Sequence, residues 1–150
     1  MGTAAAGNRV VLIGAGLTGT ETAVALAQEG KAVTLIDMLS LEEIDRRAIG
    51  SRSGLMYLRG MAEKAGIEVR TGLRAKAVTD EGLVALDADG KEVLLPCDTV
   101  ALSMGVRPRT AVAERFAGTA RDVFFCGDCR VRAGNITSAV IDGFYAAMNV

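Results

Sequence analysis

Arg9-Val-Val-Leu-Ile-Gly-Ala-Gly-Leu-Thr-Gly-Thr-Glu-Thr-Ala-Val-Ala-Leu-Ala-Gln-Glu-Gly-Lys-Ala-Val-Thr-Leu-Ile-Asp37 decides how this chain is read. Val10 to Ile13 is a short apolar run with the composition of a buried strand. Gly14-x-Gly16-x-x-Gly19 follows at once. Thr20 to Gln28 is rich in alanine and leucine and predicts a helix, with Gly30 placed where a helix stops. Ala32 to Ile36 predicts a second buried strand, closed by Asp37, eighteen residues beyond Gly19.

Each part of this pattern has a chemical use. Gly14 permits a tight turn out of the strand, Gly16 leaves the backbone open to a pyrophosphate, and Gly19 lets the helix lie close to the first strand. The helix directs free N–H groups and the positive end of its dipole at a diphosphate. A carboxylate at the end of the second strand accepts hydrogen bonds from ribose hydroxyls. Glycines also cluster in ordinary loops. Here strand, glycines, helix, second strand and acid all fall at the spacing of a dinucleotide site. Asp37 favours NAD over NADP, because a carboxylate repels a 2′-phosphate, although Arg46 and Arg47 stand within reach of such a phosphate.

Outward from this stretch, the 150 residues suit one α/β core, with half of them hydrophobic and 18 glycines. The net charge of −1 comes with no basic block, which argues against nucleic acid and anionic membrane partners. No apolar run is long enough to span a bilayer. Residues 1–8 read as a flexible lead-in with neither the basic start nor the apolar centre of a signal peptide. Three cysteines without such a leader fit a reducing, cytoplasmic setting. Histidine is absent, which removes the commonest acid/base and the commonest metal ligand.

Met38 to Gly50 reads as a charged loop with a short helical turn. Ser53 to Ala65 predicts a helix with Leu55, Leu58, Met61, Ala62 and Ala65 on one face, stopped by Gly66. Ile67 to Thr71 is a third strand, so the order β-α-β-α-β implies a parallel sheet with right-handed crossovers. Short apolar runs within Ala75 to Leu95, punctuated by Asp80-Glu-Gly82 and Asp87-Ala-Asp-Gly90, predict an antiparallel meander that serves as a crossover. Asp98 to Ser103 returns as a buried strand and ends in Met104-Gly105-Val-Arg-Pro108, at the edge where open α/β sheets bind ligands. Asp122 to Cys126 is read as a strand before Gly127-Asp128. Thr137 to Val150 is read as a helix with Ala139, Val140, Phe144, Ala147 and Met148 on its apolar face.

Three of these motifs together resemble the NAD(P)H-binding region of two-dinucleotide-domain flavoproteins, the pyridine nucleotide-disulfide oxidoreductase fold. Within that group the chain is most similar to the C-terminal part of NADH:flavin oxidoreductases such as 2-enoate and 2,4-dienoyl-CoA reductases. The motifs are Gly14-Ala-Gly-Leu-Thr-Gly-Thr-Glu21, Ala101-Leu-Ser-Met-Gly-Val-Arg-Pro108, and Val123-Phe-Phe-Cys-Gly-Asp128 with Asp142-Gly143 and a terminal helix.

The resemblance implies a Rossmann-like domain over 9–112 and, over 113–150, the C-terminal remnant of an FAD domain. Implied cofactor contacts are Gly14, Ala15, Gly16, Leu17, Thr18 and Gly19 on the turn, with Asp37 and Met38 at the second strand's end. Glu21 belongs near the nicotinamide end, Gly105 on the turn that revisits the dinucleotide, and Gly127 and Asp128 toward the flavin's ribityl chain. Only one glycine fingerprint is present. The FAD half and the catalytic domain are therefore expected elsewhere in a parent enzyme, and FAD is expected only in that complete enzyme. No catalytic acid or base is assigned.

The alternative is a stand-alone, non-catalytic NAD-binding or sensing domain. Glu21 is also readable as a solvated helix residue, although its position in the motif favours the site. Cys126-Gly-Asp-Cys129 brackets a turn at a strand end, so the cysteines are read as core and turn residues and no metal is assigned. Tyr57 and Tyr145 have Met61 and Asn149, not lysine, four residues on. Without upstream strands to pair with, Val123 to Cys126 and the helix after it are expected to drive self-association of the chain.

Overall fold

The computed structural model describes residues 5–48, 52–130 and 133–150. They form two compact units, Met1–Met104 and Gly105–Val150.

The first unit is built on a four-stranded sheet of β1 (Arg9–Ile13), β2 (Ala32–Asp37), β3 (Glu68–Thr71) and β7 (Thr99–Leu102). The strand order is β3-β2-β1-β7, and every pairing is parallel. β1 is central and buried on both faces, as the unbroken apolar run Val10 to Ile13 requires. Val10 and Leu12 pack with Ala23 and Val24 of α1 (Leu17–Gln28) and with Leu55 and Ala62 of α3 (Arg52–Lys64). Val11 and Ile13 face the other way, onto Leu73, Leu83, Ala85, Leu95 and Cys97. That second layer is the meander β4 (Arg74–Thr79), β5 (Gly82–Leu86) and β6 (Glu92–Pro96), antiparallel throughout, with a bulge between Ala75 and Ala77. The expected Rossmann-like parallel sheet with a small antiparallel crossover is therefore the observed one.

Two helices stop as the glycines predict. Gly30 and Gly66 take φ of +83° and +70°. The amides just beyond them close the ends, Lys31 N–H donating to Leu26 O at 3.1 Å and Ile67 N–H to Ala62 O at 3.0 Å.

Elsewhere the structure corrects the expected elements. α1 begins at Leu17, three residues before the expected Thr20, so Gly19 lies within its first turn. Met38 to Gly50 holds a regular helix, α2 (Leu41–Arg47), within its described part. Its cause is a capping box: Glu43 N–H donates to Ser40 Oγ, and Ser40 N–H donates to Glu43 Oε2. On α3, Leu55 and Ala62 are buried, but Ala65, just past the helix end, is exposed.

The second unit holds α4 (Thr110–Glu114), a 3₁₀ turn (Gly127–Cys129) and α5 (Ile136–Ala147). Val123 to Cys126 is not a strand: its backbone runs without ladder partners. A strand exists only by pairing, and the described residues around this segment supply no neighbour to pair with. α5 starts at Ile136, capped reciprocally by Asn135 and Ser138, and ends at Ala147 instead of Val150. Its apolar residues Val140, Phe144 and Met148 remain exposed.

Candidate dinucleotide site

The three glycines of the turn have separate structural reasons. Gly14 has φ of +109°, and a Cβ on it would lie 2.2 Å from the Ser103 carbonyl oxygen. It therefore serves both the turn and the approach of the end of β7, where Ser103 N–H donates to Ile13 O at 2.8 Å. A Cβ on Gly19 would lie 1.8 Å from the Gly14 carbonyl oxygen, so its lack of a side chain sets how closely α1 meets β1. Gly16 differs from both. Its φ is −73°, and a Cβ there would meet nothing within 4 Å. Neither strain nor packing demands glycine at Gly16. The open space above its backbone fits a group brought from outside, as a pyrophosphate would be.

Gly16 is also the N-cap of α1. No side chain caps this helix, and its first turn carries no acid. The N–H groups of the first turn have no partners within the helix, and no carboxylate of the first turn competes for them. An anion is the natural complement of such an end.

Asp37 closes the site from β2. Its Oδ2 accepts from Ala15 N–H at 2.8 Å and its Oδ1 from Leu39 N–H at 2.9 Å. The carboxylate thus ties the glycine turn to the end of β2, while each oxygen keeps capacity for a further donor. Gly14 N–H donates to Ile36 O at 2.8 Å and fixes the same junction. The tie to Ala15 is absent from the sequence pattern, which places Asp37 only on a ribose.

Among the described residues Thr20 is the one buried polar residue, and the sequence reading missed it. Its Oγ1 donates to Gly16 O at 2.9 Å and lies 3.3 Å from Ala15 O, holding the turn against α1 from beneath. Its position directly after the third glycine, at the start of the helical register, is the only signal that marked it.

The remaining expected contacts are more dispersed. Leu17 is half-buried and Thr18 exposed, both in the first turn of α1. Glu21 is exposed on the same helix, and its carboxylate has no hydrogen bond or ion pair among the described residues. Met38 follows Asp37 with its side chain largely in solvent. Gly105 begins the second unit with φ of +78°. Gly127 and Asp128 lie in that unit on the 3₁₀ turn, where Asp128 Oδ1 accepts from Gly134 N–H at 2.9 Å. Asp142, on α5, accepts from Gly127 N–H at 3.2 Å and pairs with Arg130, so the turn and the helix are anchored to each other.

Two carboxylates are shifted by their surroundings. The backbone N–H of Ser40, then its hydroxyl, hold the Glu43 carboxyl below the usual range; slight burial opposes them, and Arg46 and Arg47 add to the lowering. Asp98 is held low first by the Arg9 N–H, with the Asn8 N–H and the Thr99 hydroxyl assisting against desolvation. Asp98 thereby fastens the start of β1 to the start of β7, the far end of the sheet from the glycine turn.

Compared with known proteins, residues 2–143 match the family model described as pyridine nucleotide-disulphide oxidoreductase. The chain belongs to this family. It is 39% identical over 139 residues to bilirubin reductase of Mediterraneibacter gnavus, covering 93% of this chain and 21% of that protein. It is 34% identical to NADH oxidase of Thermoanaerobacter brockii, covering 94% of this chain and 21% of the relative. The chain therefore spans about a fifth of the length of these relatives. Its fold also matches 98% of the chain onto 22% of a 2-naphthoyl-CoA reductase solved with 2-naphthoyl-CoA, at a TM-score of 0.77 and 24% identity. The family resemblance drawn from the three motifs is borne out.

Proposed function

We propose that this chain is the NADH-docking region of a larger flavin-dependent oxidoreductase. The observation that carries the reading is the contrast among the glycines: Gly14 and Gly19 are required by the fold, whereas Gly16 faces open space at an uncapped helix end. A diphosphate would lie on the N–H groups of the first turn of α1, and a ribose would donate to Asp37. The nicotinamide, when bound, supplies the hydride for a flavin. The chain's own part is to bind and orient: the turn fixes the phosphates, and Asp37 selects the ribose. The negative charge of Asp37 disfavours a 2′-phosphate, which supports NADH over NADPH.

The relatives' names support a reductase or oxidase as the parent enzyme, and their length supports the rest of that enzyme as the partner of this chain. FAD would then contact Gly127 and Asp128 only within the whole protein. Residues 9–112 would form the nucleotide domain and 113–150 part of the flavin domain.

Thermal melts with NADH and with NADPH test the reading. A ligand at a hundred times its dissociation constant adds about 2.7 kcal/mol of stability. NADH is expected to raise the melting temperature more than NADPH at equal concentration. No shift with either nucleotide, or a larger one with NADPH, would overturn the proposal.

A further inference from the structure

The three cysteines occupy different surroundings. Cys97 is buried in the core on the meander face of the sheet, whereas Cys126 is exposed and Cys129 half-buried. Cys126 is the residue before the 3₁₀ turn Gly127–Cys129, and Cys129 is the last residue of it. The Cys129 Sγ donates to the Cys126 carbonyl oxygen at 3.0 Å, which folds the second thiol back over the residue that carries the first. The ends of a tight four-residue turn have Cα atoms within about 7 Å, and a disulfide bridges Cα separations of about 4.4–6.8 Å. The turn is also held in place: Gly127 N–H donates to Asp142, Gly134 N–H donates to Asp128, and Arg130 pairs with Asp142.

We propose that Cys126 and Cys129 are a thiol–disulfide exchange pair, oxidised by small disulfides to a bridge across the Gly127–Asp128 turn. This goes beyond the reading of both as core and turn residues, and the strand end used in that reading is absent from the structure. Exposure makes Cys126 the entry thiol. Its thiolate attacks one sulfur of oxidised glutathione, forming a mixed disulfide and releasing one glutathione thiolate. The Cys129 thiolate then attacks the Cys126 sulfur and displaces the second glutathione. The protein gives up two electrons and two protons, and glutathione disulfide leaves as two thiols. The bridge closes the turn that carries Asp128 and fixes its backbone covalently. None of this depends on nucleotide binding.

The full chain treated with oxidised glutathione tests the proposal by thiol titration and intact mass. Before treatment, two thiols are expected to react in the native protein, with Cys97 reacting only after denaturation. After treatment the native thiols vanish, and the mass falls by two hydrogens with no glutathione attached. Cys129→Ser is expected to keep one glutathione as a stable adduct on Cys126, and Cys126→Ser to react more slowly than the native chain. A stable glutathione adduct on the native chain, or two thiols that survive the treatment, would overturn the proposal without any appeal to the variants.

Discussion

Leu12, Leu35, Leu55 and Leu83 of the first unit are at most 1% exposed, whereas Phe116, Phe144 and Tyr145 of the second each keep more than half of their surface in solvent. No described residue of 105–150 is buried. The two regions have similar apolar content available, so hydrophobicity alone does not explain the difference. What the first unit has, and the second lacks, is a sheet whose two faces are both covered, by helices on one side and by a meander on the other. A strand such as Val10 to Ile13 is specified by neighbours on every side. Val123 to Cys126 is also rich in β-branched and aromatic residues, but it has no strand partner among the described residues, and it forms no strand. Apolar sequence becomes a core only where pairing partners are present in the same unit.

The sharpest way to break this contrast is to remove equivalent bulk from each side. Leu55→Ala in the first unit leaves a cavity and is expected to cost about 2–5 kcal/mol. Phe144→Ala on exposed α5 is expected to change stability by roughly 0.5 kcal/mol or less. Urea titrations of both variants measure the pair; equal losses would mean that the second unit has a core of its own. Gly19→Ala comes next. Its Cβ would lie against the Gly14 carbonyl oxygen, backbone that cannot swing away, and overpacking of this kind costs about 1–3 kcal/mol. A melting temperature unchanged from the native chain would refute the close approach of α1 to β1.

Asp37→Ala follows. The loss of charge-assisted hydrogen bonds is expected to weaken NADH by about 1.5–3 kcal/mol and to narrow the preference over NADPH. Parallel titrations with the two nucleotides would show it, and an unaltered preference would remove Asp37 from cofactor choice. The uncovered apolar residues of the second unit also predict association. Sedimentation velocity should show the full chain self-associating and a chain ending at Met104 running as a monomer. Equal behaviour of the two would place the contact elsewhere.

The smallest expected effect concerns pH. The folded-state pKa of Asp98 lies below its unfolded value, first because of the Arg9 N–H. Its contribution is therefore present above the unfolded value of about 3.9 and is lost as pH falls through the lower folded value. Asp98→Ala should lower the melting temperature near neutrality and leave the difference from the native chain smaller in strong acid. A difference that grew on acidification would contradict the assigned sign.

Much of the first unit was legible because its signals are local. Gly14, Gly30 and Gly66 each mark a positive φ, and strict apolar runs mark strands buried on both faces. The features that were missed depend on less visible causes. The start of α1 at Leu17 follows from a turn that becomes helical while still carrying glycine. α2 rests on Ser40 and Glu43 three residues apart, a capping signal that was present in the sequence and passed over. The ties of Asp37 to Ala15 and of Thr20 to Gly16 join groups whose pairing only the folded turn brings about. Val123 to Cys126 forms no strand for want of a partner strand among the described residues, a want that the single glycine fingerprint signalled although the local apolar run did not.

The central claim is that Gly16, unlike Gly14 and Gly19, is glycine for the ligand's sake. Calorimetric titration of NADH into the native chain and into Gly16→Val, with a thermal melt of each without ligand, tests it directly. The account predicts a folded variant that melts only somewhat lower, because its side chain enters open space but valine is a poorer N-cap than glycine, and loss of measurable NADH binding in the variant. Unchanged NADH affinity in a folded Gly16→Val chain would contradict it.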